Sequence, residues 1–199
     1  MALSASGFNN GTAQNIIIDS AVIFKDFSIA NGTPTGTVLG ATQGGVEINI
    51  EKKLRQIEID GAFVMPVKGT EVVESEEATF TASLIELSTD LLKMALGGVS
   101  TPNSVTGYDL VEGKYVVEEG DYINGLAVVG NRNGSDKKII FVFDNVLITS
   151  AFKLKMEDKS EGVVEISGKA HASVDQLQQR KSPWHIYNAT TTVTPTTGG

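Results

Sequence analysis

Apolar and polar residues alternate most regularly from Val46 onward. Val46, Ile48 and Ile50 share one side of an extended chain while Glu47, Asn49 and Glu51 share the other, the period of a half-buried strand. Lys52 and Lys53 interrupt the pattern. Residues 54–63 resume it, with Ile57 and Ile59 opposite Gln56, Glu58 and Asp60, before Gly61 permits a bend. Two adjacent strands with acidic outer faces are predicted. Residues 67–77 carry Glu71, Glu74, Glu76 and Glu77 with too few periodic apolar positions for a buried strand, which predicts a long exposed loop. Alternation returns over 79–87, where Phe80, Ala82 and Leu84 oppose Thr81 and Ser83. A short helix follows: Ser88 suits the N-cap, Asp90 complements the dipole of the first turn, and Gly97 supplies a left-handed stop. It is the one helix the pattern supports.

Outside this block the signals are shorter. Residues 16–27 read as a strand or hairpin ahead of a loop at 31–36, and 101–107 as a second loop. Short strands are expected at 115–118 and 126–129. After a turn at 131–136, residues 138–142 form a nearly continuous apolar run that suits a strand buried on both faces. Residues 146–156 and 163–174 complete the set, and Trp184 to Tyr187 reads as a segment pinned to the core. Eight or nine strands and one helix predict a mainly β fold, a β-sandwich or barrel with one flanking helix near 88–97. Residues 1–187 are expected as a single domain and 188–199, rich in Thr, as a flexible tail.

Composition narrows the chemistry. There is no cysteine among the 199 residues, so disulfides, thiolate metal sites and thiol nucleophiles are excluded by inventory. The formal charge of −8 opposes a protein that grips nucleic acid, which needs clustered Lys and Arg, yet suits one that lets a polyanion pass. The first residues lack a basic start and apolar run, and no stretch reaches membrane-spanning length, so synthesis in the cytoplasm and no membrane span are expected. The Asn-Gly pairs at Asn10, Asn31 and Asn133 accordingly read as turns.

The two histidines, His171 and His185, have no local metal-ligand spacing, and no Gly-x-Ser-x-Gly elbow is present. Residues 118–121 lack the alternating oxygens of a calcium loop, and 130–134 lack the Gly-Lys-Ser/Thr of a phosphate loop. No catalytic residue, cofactor or metal is expected, and an enzyme is the weakest reading.

The run from Leu39 to Gly61, then Pro66-Val67-Lys68-Gly69, an acidic segment, the 78–87 strand and the 88–97 helix, resembles in its order the major tail tube proteins of tailed bacteriophages. The likeness is best over residues 15–100. It implies a β-sandwich whose copies close into hexameric rings, with inner strands forming one barrel and rings stacking into a tube that conducts double-stranded DNA. Tape measure and tail terminator or tip proteins are the further partners it implies, and the virion tail the location. On that resemblance Glu47, Asn49, Glu51, Gln56, Glu58 and Asp60 are expected to face the channel, and Ile48, Ile50, Ile57 and Ile59 to pack the sandwich. Lys52, Lys53 and Arg55 with Glu71, Glu74, Glu76 and Glu77 are expected at contacts between subunits or rings. Two alternatives stand beside it: the tube of a contractile tail or phage-tail-like injection particle, and a carbohydrate-binding or adhesive β-sandwich, for which exposed aromatic residues are the discriminating feature.

Overall fold

The computed structural model describes Thr12 and residues 16–31, 33–60, 65–133, 135–156 and 158–188. Asn31 sets the first turn. Its φ of 52° is the left-handed conformation that Asn tolerates, and it returns β1 (Ile17–Ala30) into β2 (Thr33–Val38) so that Ala30 pairs with Thr33. On its other side β1 pairs with β7 (Leu126–Arg132), followed by β8 (Ser135–Phe143) and β12 (Trp184–Asn188). The resulting antiparallel sheet runs β12-β8-β7-β1-β2.

A second sheet is ordered β10-β11-β4-β3, comprising β3 (Thr42–Gln56), β4 (Glu71–Leu84), β10 (Leu154–Lys155) and β11 (Val163–Ala170). The short β9 (Val146–Ile148) also pairs with β11. The core lies between the sheets. Ile23, Leu126, Val128 and Phe143 of the first meet Phe80, Ala82, Leu84, Val164 and Ile166 of the second, all buried, with Phe80 and Phe143 rings 6.4 Å apart. The fold is mainly β, as the alternation predicts.

Near the start of β3, Gly44 and Gly45 have φ of 83° and 93° where the pairing register shifts between Thr42 and Val46. Only a residue without Cβ takes two such conformations in succession without strain. Just before the kink Thr42 pairs with Leu84 of the second sheet and also donates its hydroxyl to the Ala21 carbonyl of the first at 3.4 Å.

Helix α1 (Thr89–Leu96) forms as its caps predict: Ser88 Oγ accepts from the Leu91 amide at 3.1 Å, Gly97 closes it at φ 57°, and Leu91 is buried in the core. It abuts a separate hairpin of β5 (Gly98–Val105) and β6 (Tyr108–Gly113).

Several expectations are corrected. Residues 31–36 and 101–107 are largely strand rather than loop; both lie in two-stranded margins where no face is buried, so no apolar alternation marks them. Residues 115–118 form no strand, because among the described residues no backbone lies alongside to pair with them. The last core strand stops at Ala170, and Val174 opens a second helix, α2 (Val174–Gln178). Its capping box is legible in hindsight as Ser173-x-x-Gln176: Ser173 Oγ accepts from the Gln176 amide and Gln176 Oε1 from the Ser173 amide. A turn of 3₁₀ helix (Glu119–Asp121) adds to these, and the described strands number twelve rather than eight or nine. Asn188 closes β12 instead of beginning a tail; residues 189–199, the rest of the expected tail, and Asn10 lie outside the described residues.

Gly168 on β11 sits under the core, where a Cβ would approach Phe80 Cε1 to 2.5 Å and Val146 Cγ1 to 2.8 Å. Gly168→Ala is expected to lose about 1–3 kcal/mol by overpacking in urea unfolding. Gly113→Ala, whose Cβ meets nothing within 4 Å, should change stability by less than about 0.5 kcal/mol.

Candidate assembly surfaces

The acidic segment predicted as a loop is the first half of a strand. β4 begins at Glu71 and pairs with β3 along the whole of that strand, from Thr42↔Leu84 to Gln56↔Glu71. The two strands predicted within 46–63 are correspondingly one, β3, unbroken at Lys52 and Lys53, with residues 57–60 outside it; residues 61–64 lie outside the described residues. The reason is cross-strand chemistry rather than burial. Lys52 pairs with Glu76 at 3.0 Å and Lys53 with Glu74 at 2.7 Å, so the charges that break the apolar alternation sit beside opposite charges on the partner strand. These contacts are made within the chain.

Beyond Ile50 the pair leaves the sandwich as a two-stranded ribbon, with every residue of 51–60 exposed. The Ile57 amide donates to Thr70 O at 2.7 Å, and the return is made by residues 67–70, where Thr70 Oγ1 donates to Val67 O at 2.7 Å. Ile48 and Ile50 pack against the core as expected. Ile57 and Ile59 do not: they lie on the ribbon and are exposed, as are Leu54, Met65, Val67 and Val73.

One cluster braces the ribbon's base against the other sheet. Trp184 of β12 packs on the core and donates its indole N–H to Glu76 of β4; Lys52 of β3 stands 5.7 Å from the Trp184 ring centre and in ion-pair contact with the same carboxylate. Partial burial acts to raise the Glu76 pKa, but hydrogen bonds from Ser182, Lys52 and Trp184, with the Lys52 charge, outweigh it and hold the group below its ordinary value of 4.5. Glu76 and Trp184 are 108 residues apart, and nothing local in the sequence signals their meeting.

The outer face of the second sheet is polar across three strands. Glu47 lies beside Thr81 and Thr81 beside Ser167; Asn49 lies beside Thr79 and Thr79 beside Lys169; Glu51 lies opposite Glu77. Lys169 reaches Glu77 at 2.6 Å, which relieves the like-charge pair, and Glu165 adds a further carboxylate next to Ser83. Three of the six expected channel residues, Glu47, Asn49 and Glu51, thus share a face with a row of hydroxyls. By alternation Gln56 falls in line with Ile50 instead, and Glu58 and Asp60 lie past the end of β3.

No family model matches the chain, and no curated protein matches it. Structural likeness is found to chains of several solved structures. A chain of the virion of a native gene transfer agent particle overlays with a TM-score of 0.40 at 12% identity, covering 77% of this chain and 92% of that one. A chain of the anti-feeding prophage baseplate gives 0.45 at 10% identity, over 86% and 95%. One from the sheath–tube complex of an extracellular contractile injection system in its extended state gives 0.48 at 11% identity, over 94% and 100%. Each overlay is partial at these values and by itself assigns no role to any residue.

Backbone edges are the other unfinished surfaces. β3 pairs only with β4, β2 only with β1, and β12 only with β8, so each offers a free row of amides and carbonyls among the described residues. Among those residues no three His, Asp or Glu side chains gather to hold a metal ion, and no helix is long and apolar enough to cross a membrane. The structure also exposes Tyr108 and Tyr115, which sequence reasoning did not single out.

Because Glu76 has a lowered pKa, its bracing is complete above pH 4.5 and is lost as pH falls below that through its folded-state value. Trp184, the chain's single Trp, reports this directly. Its emission is expected to shift to the red on acidification, and Glu76→Gln should flatten that transition while leaving the spectrum at pH 7 nearly unchanged.

Proposed function

We propose that this chain is a non-enzymatic structural subunit of a phage-type tail, assembling with copies of itself into rings that stack into a tube for DNA. The observation that carries the reading is the β3–β4 ribbon. A two-stranded ribbon that leaves its sandwich with exposed apolar residues and an open edge is poorly supported alone and gains stability when a neighbour covers it. Contacts between unlike surfaces of identical copies propagate, which suits rings and stacks. The number of copies, six, and the tape measure, terminator and tip partners come from the resemblance of residues 15–100 to tail tube proteins.

In this reading the outer face of the second sheet lines the channel. Glu47, Asn49 and Glu51, with Thr79 and Thr81, present short polar and acidic groups that offer phosphate no cationic partner, while the cations of this face stand beside carboxylates: Glu77 holds Lys169, and Lys153 and Lys155 lie near Glu165. Gln56, Glu58 and Asp60 face DNA only where the ribbon itself borders the channel. Lys53, Arg55, Glu71 and Glu74 then lie where ribbons meet neighbouring copies. The tube of a contractile tail or related injection particle shares all these requirements.

Exposed Tyr108 and Tyr115 favour a second reading, an adhesive or carbohydrate-binding module, since sugars stack on such rings. Negative-stain microscopy separates the two. Rings or hollow tubes support the tail reading; monomers that bind glycan support the other. Replacing residues 57–70 by Asn-Gly, which joins the paired Gln56 and Glu71 through a two-residue turn, should give a folded subunit that no longer assembles. Tubes of normal length from that variant would remove the ribbon from the interface. Tubes carrying Glu47→Lys with Glu51→Lys are expected to retard DNA in a gel, and tubes of the unaltered chain to leave it free; equal mobility would take this face out of the channel.

A further inference from the structure

The ribbon leaves the sandwich where the packing changes character. On β3 and β4 the inward-facing pairs run Ile48↔Phe80, Ile50↔Ala78 and then Lys52↔Glu76, so an ion pair takes the next place in the column where the apolar core stops. Glu76 is nonetheless sheltered: its side chain is 16% exposed, against 42% for Glu74 in the next ion pair along the ladder. The other sheet reaches it there. Trp184 donates its indole N–H to the carboxylate, and Ser182 hydrogen-bonds the same group from two residues earlier in the chain. That side of the contact is itself fixed, since β12 pairs with β8 from Trp184↔Phe143 onward and Pro183 O accepts from the Asp144 amide at 2.8 Å.

A second irregularity lies directly outward. Ser75 pairs with Lys53 but Val73 with Leu54, which leaves Glu74 as the extra residue of a β-bulge on β4. A bulge bends its strand and adds twist, and a bent two-stranded ribbon with no sheet beside it has little to hold its direction. The Lys53–Glu74 pair does not supply that hold, because both residues belong to the ribbon. Glu76 and Lys52, by contrast, both meet Trp184 of the opposite sheet.

We infer that Glu76, Lys52, Ser182 and Trp184 form a latch that fixes the direction of the ribbon in the free subunit. The latch lies on the sandwich side of the bulge, at the last inward-facing pair, where a small rotation is amplified along the distal residues. Its three donors converge on one carboxylate, so removing that carboxylate releases all of them together. On the self-assembly reading, on which this consequence rests, the ribbon is already aimed when a second copy meets it, and the contact is spared the entropy of ordering a swinging arm.

The chain has no cysteine, so spin labels can be placed site by site. Labels on Leu54→Cys of the ribbon and Val38→Cys of the first sheet, both exposed positions, report the ribbon's direction. Labels on Val38→Cys and Glu47→Cys, on the same strand as Leu54 but inside the latch, report the sandwich alone. Full-length protein, kept below the concentration at which it assembles, is expected to give one narrow distance distribution for each pair in double electron–electron resonance. Glu76→Ala should about double the width for the ribbon pair and leave the sandwich pair narrow. Trp184→Phe, which keeps a ring in the core and removes only the N–H, should broaden the ribbon pair less, and it takes over the test where Glu76→Ala does not fold. Lys53→Ala should broaden neither pair. A ribbon pair that stays narrow in the latch variants, that broadens equally in Lys53→Ala, or that broadens together with the sandwich pair overturns the latch. In unlabelled chains, Trp184→Phe is expected to raise the concentration needed for assembly about tenfold, the factor that one charge-assisted hydrogen bond supplies. A freed ribbon with unchanged assembly overturns the aiming role. An unaltered chain that stays monomeric at every concentration overturns the self-assembly reading, and the label distances then decide the latch by themselves.

Discussion

Backbone pairing between β3 and β4 is the constraint on which the rest of this molecule depends. An amide and a carbonyl at every residue must find partners, and along residues 71–77 the available partner is the neighbouring strand rather than water or helix. Once that pairing extends past the sandwich, the charges must follow the ladder. Lysines face glutamates across it, the Glu51↔Glu77 clash is relieved by Lys169 from the next strand, and Glu76 is drawn to Trp184 of the opposite sheet. The acidic character of the segment is therefore compatible with strand because Glu74, Glu76 and Glu77 each have a cation or donor within reach.

The two sheets divide the work of the surface. Alternation in β3, β4 and β11 sends large apolar residues inward and short polar ones outward, giving a wide face of Thr, Ser and carboxylates. The first sheet is apolar on both sides: Phe141 and Phe143 of β8 face the main core, while Ile140 and Val142 form a smaller cluster with Ala127, Phe24 and Phe27. The nearly continuous apolar run of residues 138–142 is the sequence trace of that arrangement.

Legibility followed burial. The half-buried part of β3, the core strand of β4, the capped helix α1 and the doubly buried β8 could be read from periodicity or caps because a single chain uses those residues. Elements with little or no buried face, β2, β5, β6 and the first half of β4, were not legible as strands, since their stabilising partners are other backbones and not a core. The 115–118 segment erred in the opposite direction: β-branched residues predicted a strand, yet among the described residues no neighbouring strand pairs with them. Of the expected surface residues, Glu47, Asn49 and Glu51 were placed together by simple alternation. The Trp184 to Glu76 contact, closing 108 residues of chain, had no local trace.

The paired glycines at the start of β3 have a mechanical consequence. Because Thr42, paired with β4, also bonds the Ala21 carbonyl of the first sheet just ahead of Gly44 and Gly45, the strand is a tie between the two layers as well as a member of one. A pull on the ribbon along its own axis loads the ladder hydrogen bonds in shear, many at once, and passes the force into both layers instead of peeling one bond at a time from an edge. A part that must transmit tension gains from such a route, and the two residues that permit it carry no side chain at all.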